Sequence, residues 1–177
     1  FELFSRHYLK KNFKIARFCY IIECNGAPAK SERGSVINKM NKKKGEILSP
    51  AGNFQMLEAA VRCGADAVYL AGKAFGMRAA SGNFTDDGLR TAVSYCHEHG
   101  VKVYVTVNIM PRDGEYQALE EYFRFLRDIG ADAAIISDIG AVALCRSCAP
   151  GLDIHISTQA STVSAHACMA WHSLGAS

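Results

Sequence analysis

Toward the end of the chain, His155, Ser157, Thr158 and Gln159 fall close together. An imidazole alternating with a hydroxyl and an amide can move a proton and hold a polar substrate. Groups of the same kind recur at intervals before them: Asn53, then Lys73, Arg78 and Asn83, then Thr106 and Asn108, then Ser137 and Asp138. His155, Asn108 and Asp138 have the side chains suited to proton transfer or to stabilising developing charge, and they are the candidate catalytic residues. Asn53, Lys73, Arg78, Asn83, Thr106, Ser157 and Gln159 are the candidate substrate-binding residues. Lys73, Arg78, Asn108 and Gln159 would suit a carboxylate or a phosphate, held by charge-assisted hydrogen bonds. Asn53 and Asp138 also stand where a side chain caps the following helix, so each has a structural use as well.

Other chemistries find less support. His155 and Ser157 are two residues apart on one predicted strand, so they lie side by side instead of forming a nucleophile–base hydrogen bond. The sequence holds neither a Gly-x-Ser-x-Gly elbow nor a His-Glu-x-x-His zinc helix. Cys145-Arg146-Ser147-Cys148 is a single CxxC late in a helix, without a second pair at zinc spacing, and is read as two incidental helix cysteines. His97 and His99 close a helix beside Gly100, where cationic side chains are favoured, and read as structural. No metal site is expected.

The elements that must position these groups are marked by a repeated phrase. Gly64-Ala65-Asp66-Ala67 runs into Val68-Tyr69-Leu70, and Gly130-Ala131-Asp132-Ala133 runs into Ala134-Ile135-Ile136; Gly100 and Gly151 open looser copies. Each glycine follows a helical pattern and precedes a strand-like one. Strands are predicted over 46–49, 67–71, 101–107, 133–137 and 154–158. Helices follow each: one capped by Asn53, with Phe54, Leu57 and Val61 inward; one capped by Thr85, with Leu89, Val93 and Cys96 inward; one carrying Tyr116, Leu119, Phe123 and Leu126. A fourth spans about residues 140–148. The fifth starts near Ser161 or Thr162 and buries Val163, Ala167, Trp171 and Leu174. Leu174-Gly175-Ala176-Ser177 then opens one more copy of the phrase.

Five successive βα units require a parallel sheet with right-handed crossovers. Ser49-Pro50-Ala51-Gly52-Asn53 is not the Gly-rich turn of a doubly wound nucleotide fold. The third strand alternates Val101, Val103, Val105 and Val107 with Lys102, Tyr104 and Thr106, and the fifth sets Ile154, Ile156 and Thr158 opposite His155, Ser157 and Gln159. A polar side of that sort suits the interior of a barrel. The expected fold is therefore α/β, an incomplete (β/α)8 TIM-type barrel of five βα units, with the candidate residues at the C-terminal strand ends where such barrels carry their chemistry.

With 177 residues, 49% of them hydrophobic, the chain can bury one core. Its formal charge of +3 is unevenly spread. Residues 1–44 hold eleven Lys or Arg against three acids, whereas the remaining 133 residues hold nine against fourteen. Residues 1–44 are thus expected to be a basic, poorly ordered tail or upstream read-through, with translation starting at Met40. Residues 45–177 form the barrel part, truncated before its last units. Because that part is mildly acidic, no chain-wide basic footprint for nucleic acid exists there. Seven scattered cysteines fit a reducing cytoplasm better than a disulfide framework. Cys63, Cys96 and Cys168 read as small hydrophobes on helix faces. No apolar run is long enough for a transmembrane helix, so no membrane partner is expected.

Several of these segments carry a resemblance. Residues 49–53 (Ser-Pro-Ala-Gly-Asn) and 64–73, the Phe75-Gly76-Met77-Arg78-Ala79 stretch, Asn83-Phe84, residues 105–109, Ser137-Asp138 and His155-Ile156-Ser157-Thr158-Gln159 are together similar to the collagenase-like peptidases, the unassigned-type peptidase family thirty-two. The likeness covers about residues 45–177. Ser49 and Ala71 stand where the family pattern has Ala and Gly, and neither change removes a reactive side chain. The resemblance implies a barrel-like N-terminal domain and a cytoplasmic peptidase of unassigned catalytic type acting on a peptide or protein. It equally implies a second activity, hydroxylation of tRNA or rRNA bases, in which RNA is the substrate. For that activity it implies prephenate and an iron–sulfur cluster whose cysteines would lie beyond the residues present. No cofactor is expected within these residues, and a third reading is that they form an inactive fragment.

Overall fold

A computed structural model of the chain describes residues 45–77 and 83–177; the basic segment 1–44 and Arg78 lie outside the described residues. Within them the Gly-Ala-Asp phrase is a joint between a helix and the next strand. Gly64, Gly100, Gly130 and Gly175 take φ of 83°, 71°, 80° and 105°. In each case the glycine N–H donates to the carbonyl three residues back (Gly64 to Val61, for example), and the following N–H donates five residues back (Ala65 to Ala60). These paired bonds satisfy the last carbonyls of the helix, and they need a left-handed residue that a Cβ disfavours. The aspartate does separate work. Asp66 Oδ2 accepts the N–H of Ile47 at 2.8 Å, and Asp132 Oδ2 accepts the N–H of Val103 at 2.8 Å, so each carboxylate ties the start of its own strand to the strand before.

The elements run β1 (Leu48–Pro50), α1 (Phe54–Arg62), β2 (Ala67–Ala71), α2 (Asp86–Glu98), β3 (Lys102–Val107), α3 (Tyr116–Asp128), β4 (Ala133–Ile136), α4 (Ile139–Cys148), β5 (Asp153–Ile156) and α5 (Ala165–Ser173). Short 3-10 turns, Asp113–Glu115 and Thr158–Ala160, precede α3 and follow β5. The five strands form one sheet in the order β1-β2-β3-β4-β5, every neighbouring pair parallel. Strand order that simply follows chain order, without a reversal, is the arc of a barrel and not a doubly wound sheet.

The strand alternation decides which face is which. Val68, Leu70, Val103, Val105, Val107, Ala134, Ile136 and Ile154 point to the helices, where Leu57, Leu89, Leu119, Phe123 and Leu126 meet them. Each fully buried Leu, Val or Phe contributes about 1.5–3 kcal/mol relative to exposure. The other face carries Ala67, Tyr104 and Ala133, with Leu48, Tyr69 and Ile135 packed against them. Thr106 and His155 share this inner face, because Thr106 pairs with Ile135 and Ile135 with His155 in register.

Three expectations need correction. β1 begins at Leu48, and Glu46 instead accepts a hydrogen bond from the Tyr104 hydroxyl at 2.8 Å. β5 stops at Ile156, because the Ser157 hydroxyl accepts the Gln159 N–H and turns the chain into the 3-10 segment; Gln159 therefore does not continue the face of His155. The last helix starts only at Ala165, capped by Ser164; Val163 is 93% exposed instead of buried, and Ala167, Trp171 and Leu174 are only half-buried. Among the cysteines, Cys96, Cys145 and Cys148 are buried, whereas Cys63 is exposed at the C-cap of α1.

Candidate functional site

The C-terminal strand ends bring most of the candidate residues to one side of the sheet, arranged in two tiers. The lower tier is the level of Ala71, Thr106, Ile135 and His155, which pair in register across β2 to β5. His155 is 4% exposed, and its ring meets that of Tyr104 edge-on, with centroids 4.6 Å apart. Thr106 and His155 are two strands apart, about 10 Å by strand spacing. The upper tier is made by the first residues beyond each strand: Lys73, Asn108, Ser137, Asp138 and Ser157.

In this upper tier, side chains of one unit hold the loop of another. The Met77 N–H donates to Asn108 Oδ1 at 3.1 Å, which pins the loop after β2 to the end of β3. Ser137 donates its hydroxyl to Ile109 O at 3.3 Å, and Tyr116 donates its own to Asp138 Oδ1 at 3.1 Å, so the loop after β3 is held to the end of β4 at two points. Thr106 donates to Leu70 O at 3.3 Å. Asn83 comes beside Lys73 through its neighbour: Phe84 N donates to Ala71 O at 3.0 Å, and Lys73 N to Phe84 O at 3.1 Å. Asn53 stands apart at the end of β1, where Oδ1 accepts the Met56 N–H at 2.9 Å and caps α1. Asp138 caps α4 in the same way, accepting the Ala141 N–H at 2.8 Å. Gln159 lies in the 3-10 turn, and its Oε1 is buried with no hydrogen-bond partner among the described residues.

Tyr116 and Gly140 were not singled out as site residues. Tyr116 reads from sequence as the first apolar position of a helix stripe, and nothing local reveals that its hydroxyl crosses to α4. A Cβ at Gly140 would collide with the Tyr116 hydroxyl. Phe75 is a further surprise: it has φ 57°, a left-handed value that a bulky residue rarely takes, and its ring packs 5.4 Å from that of Tyr122.

Burial sets the ionisation behaviour of several groups. Tyr104 is held well above the usual phenol range, first by burial, then by its bond to Glu46 and the nearby carboxylates Asp132 and Asp153. Tyr116 is raised by burial and then by Asp138, so it serves as a neutral donor. Burial pushes the Cys96 thiol up to about 11 and the Cys145 thiol to about 12, and raises Cys148 too. None of the three is activated by its surroundings as a nucleophile at neutral pH. Among the described residues no group of three or more His, Cys, Asp and Glu could hold a metal ion, and no helix is long and apolar enough to cross a membrane.

Two clefts flank the last strands. One of about 270 Å³ sits at the upper end of β5, lined by Ser157, Thr162, Val163, Trp171 and His172 among others. The other, about 380 Å³, opens at the lower ends of β3 to β5, between Lys102, Tyr104, Arg127, Asp132 and Asp153. Three of its charged groups are committed to neighbours: Asp132 to Val103 and to His97 Nε2 at 2.9 Å, Arg127 to Cys148 O and Asp128, and Lys102 to Glu46 at 3.6 Å. His155 lines this lower cleft and not the one at the upper end of β5; in (β/α) barrels the lower end serves stability and the upper end carries the chemistry.

A sequential parallel sheet whose strands all end in hydrogen-bonding groups defines a domain of the (β/α)-barrel class. The profile described as peptidase family U32 matches residues 52–177, and the chain belongs to that family. It is 37% identical over 133 residues to tRNA hydroxylation protein P1 of Bacillus subtilis, a match covering 75% of this chain and 32% of that protein. It is 33% identical over 129 residues to a collagenase of Porphyromonas gingivalis, covering 72% of this chain and 31% of that one. The solved structure of the U32 peptidase Mk0906 superposes with a TM-score of 0.63 at 14% identity, over 85% of this chain and 60% of the other. That likeness shows the shared fold. The chain spans about a third of the length of the two curated relatives, 32% and 31%.

Proposed function

We propose that the whole protein hydroxylates a base of tRNA, with the upper tier of this barrel arc forming part of the site. The observation that carries the reading is the 37% identity to a tRNA hydroxylation protein over 133 residues, 75% of this chain. The site geometry agrees with it. His155 and Ser157 are neighbours two residues apart at the end of β5, the His155 ring packs edge-on against Tyr104, and Ser157 caps the following 3-10 turn by accepting the Gln159 N–H, which gives no support to the nucleophile–base arrangement of a serine peptidase. In this reading His155, Asn108 and Asp138 act on the reacting base or its co-substrate. Lys73, Asn83, Thr106, Ser157 and Gln159 bind, as would Arg78, and Asn53 serves chiefly as a cap.

The described residues do not fit an iron–sulfur cluster. No three of their His, Cys, Asp and Glu side chains come together as a ligand set: Cys63 is exposed at the lower end of α1, Cys96 is buried in α2, Cys145 and Cys148 are buried in α4, and Cys168 is half-buried in α5. No step is therefore assigned to such a cluster here.

The test is mass spectrometry of nucleosides from the tRNA of a strain lacking the gene. Loss of a hydroxylated nucleoside is expected, with recovery on return of the wild-type gene and none with Asp138→Asn. An unchanged nucleoside profile in the deletion strain would refute the reading. Likeness to the collagenase favours a peptidase as the second reading, in which a peptide or protein occupies the same mouth. It requires gelatin cleavage by the purified whole protein that is lost in His155→Ala.

A further inference from the structure

Asp138 is held more firmly than a helix cap requires. A cap needs one side-chain oxygen to accept one N–H, and Ala141 N supplies that bond to Oδ1 at 2.8 Å. The Tyr116 hydroxyl adds a second donor to the same atom at 3.1 Å. No described residue donates to Oδ2. A single cap bond leaves the carboxylate plane free to librate about its Cβ–Cγ bond. With a second donor on the same oxygen, Oδ1 is held between Ala141 N–H and the Tyr116 hydroxyl, and that libration, and with it the direction of Oδ2, is narrowed.

A second observation points the same way. Gly140 is in the first turn of α4, and glycine is the poorest helix former after proline. Its φ is not left-handed, so no backbone requirement selects it. What it provides is room: a Cβ there would strike the Tyr116 hydroxyl and come within 3.1 Å of Asp138 Oδ1. The tyrosine belongs to α3 and the carboxylate to the start of α4, so the contact joins two βα units at the upper tier. Ser137, one residue before Asp138, clamps the same loop through Ile109 O.

We infer that Tyr116 is a positioning residue for Asp138, made possible by Gly140, and that it aims the free carboxylate oxygen into the candidate site. The inference rests on the proposed reading in which Asp138 acts in tRNA hydroxylation. Tyr116 itself touches no substrate in this account. Its removal should lower turnover without weakening substrate binding, because the carboxylate remains present but loses its fixed direction.

The experiment measures kcat and KM for tRNA hydroxylation with the whole protein as wild type, Tyr116→Phe, Gly140→Ala, the double variant and Asp138→Asn. Tyr116→Phe is expected to lower kcat about tenfold, the scale of one hydrogen bond to a charged group. KM for tRNA should stay within about twofold, with a melting temperature within about 2 °C of wild type. Asp138→Asn should lower kcat by about a hundredfold or more, as for loss of an acid–base group. Gly140→Ala should reproduce the Tyr116→Phe defect. The double variant should be close to Tyr116→Phe alone, because removing the hydroxyl takes away the collision and leaves contacts of 3.2 Å to Tyr116 Cζ and 3.1 Å to Asp138 Oδ1 that need to give by a few tenths of an ångström. Wild-type kcat in Tyr116→Phe would overturn the inference, as would a fall in kcat matched by proportional changes in KM and melting temperature. Full activity in Asp138→Asn would overturn it too, while wild-type hydroxylation of tRNA left the functional reading intact. Absence of tRNA hydroxylation by the wild type would sink that reading and this inference with it.

Discussion

Gly72 and Tyr122 offer a sharp test of the packing beneath the upper tier. Gly72 follows β2 and bridges to Phe84, with Lys73 immediately after it. A Cβ on Gly72 would overlap the Tyr122 hydroxyl, 3.3 Å from Tyr122 Cζ and 3.2 Å from Leu89 Cδ1. Tyr122 cannot easily swing aside, because its ring lies between Phe75 at 5.4 Å and Phe125 at 5.9 Å. Overpacking of this kind costs about 1–3 kcal/mol, so Gly72→Ala should destabilise by that amount. Tyr122→Phe should do the opposite of an ordinary core truncation. The hydroxyl is buried and has no hydrogen-bond partner among the described residues, and an unsatisfied buried group costs about 1–3 kcal/mol. Its removal is therefore expected to be neutral or stabilising by about 1 kcal/mol. In the Tyr122→Phe background the new methyl meets only carbon neighbours at 3.2 and 3.3 Å, which need to give by a few tenths of an ångström. The coupling between the two substitutions should thus be about 1–2 kcal/mol, above the roughly 0.5 kcal/mol expected of independent sites. Urea unfolding of the four proteins, followed by far-UV circular dichroism, gives the cycle directly. Additivity within about 0.5 kcal/mol would refute the argument. So would a Tyr122→Phe variant destabilised by more than about 1 kcal/mol, since the hydroxyl would then have a partner.

Asp132→Ala should cost about 1–3 kcal/mol in the same assay, because the carboxylate receives both the Val103 N–H and His97 Nε2; His97→Ala should cost less, and equal losses would contradict the assignment of the backbone bond as the important one. Stability should also fall with pH above about 9, where the unfolded chain sheds the Cys96 and Cys145 protons that burial keeps in the folded chain up to about 11 and 12. The unfolded state then binds fewer protons, so the slope is negative, about 1.4 kcal/mol per pH unit for each thiol. A reduced Cys96→Ala/Cys145→Ala variant should lose most of that slope between about pH 9 and 10, below the range where the buried tyrosines begin to contribute. A slope unchanged in that variant would show that the thiols are not its source.

The parts of this structure that were readable in advance are those governed by short-range rules. β2 over Ala67–Ala71 and the Thr85 cap of α2 follow from a left-handed glycine, a period-two pattern and a hydroxyl placed before two acids, all decided within a few residues. The end of β5 was misjudged because the Ser157 hydroxyl competes locally with the ladder, and alternation in the sequence continues past the point where pairing stops. Val163 lies outside the last helix because an apolar residue before a helix cap has the same sequence signature as one inside the helix. The site was only half readable for a different reason. Residue type told which positions end in polar groups, but the division of each group between neighbour and ligand depends on loops that cross from other units. Tyr116 is the clearest case, since its partner Asp138 is 22 residues away.

That division now separates the candidates by their chemistry. A hydroxyl has one proton to donate, and Thr106 and Ser137 give theirs to Leu70 O and Ile109 O. Each keeps only lone pairs for anything that enters the mouth. An amide or a carboxylate has two ends. Asn108 uses Oδ1 to take the Met77 N–H, which also fixes which way the amide points, and so its NH2 group is turned away from that loop. Asp138 uses Oδ1 for Ala141 and Tyr116 and keeps Oδ2. One donor and one acceptor, each oriented by the fold through its other end, stand at the ends of adjacent strands. Catalysis needs groups that the protein has placed without exhausting. On that criterion Asn108 and Asp138 rank above Thr106 and Ser137, although all four are polar strand ends; Ser157, which accepts the Gln159 N–H, keeps its proton.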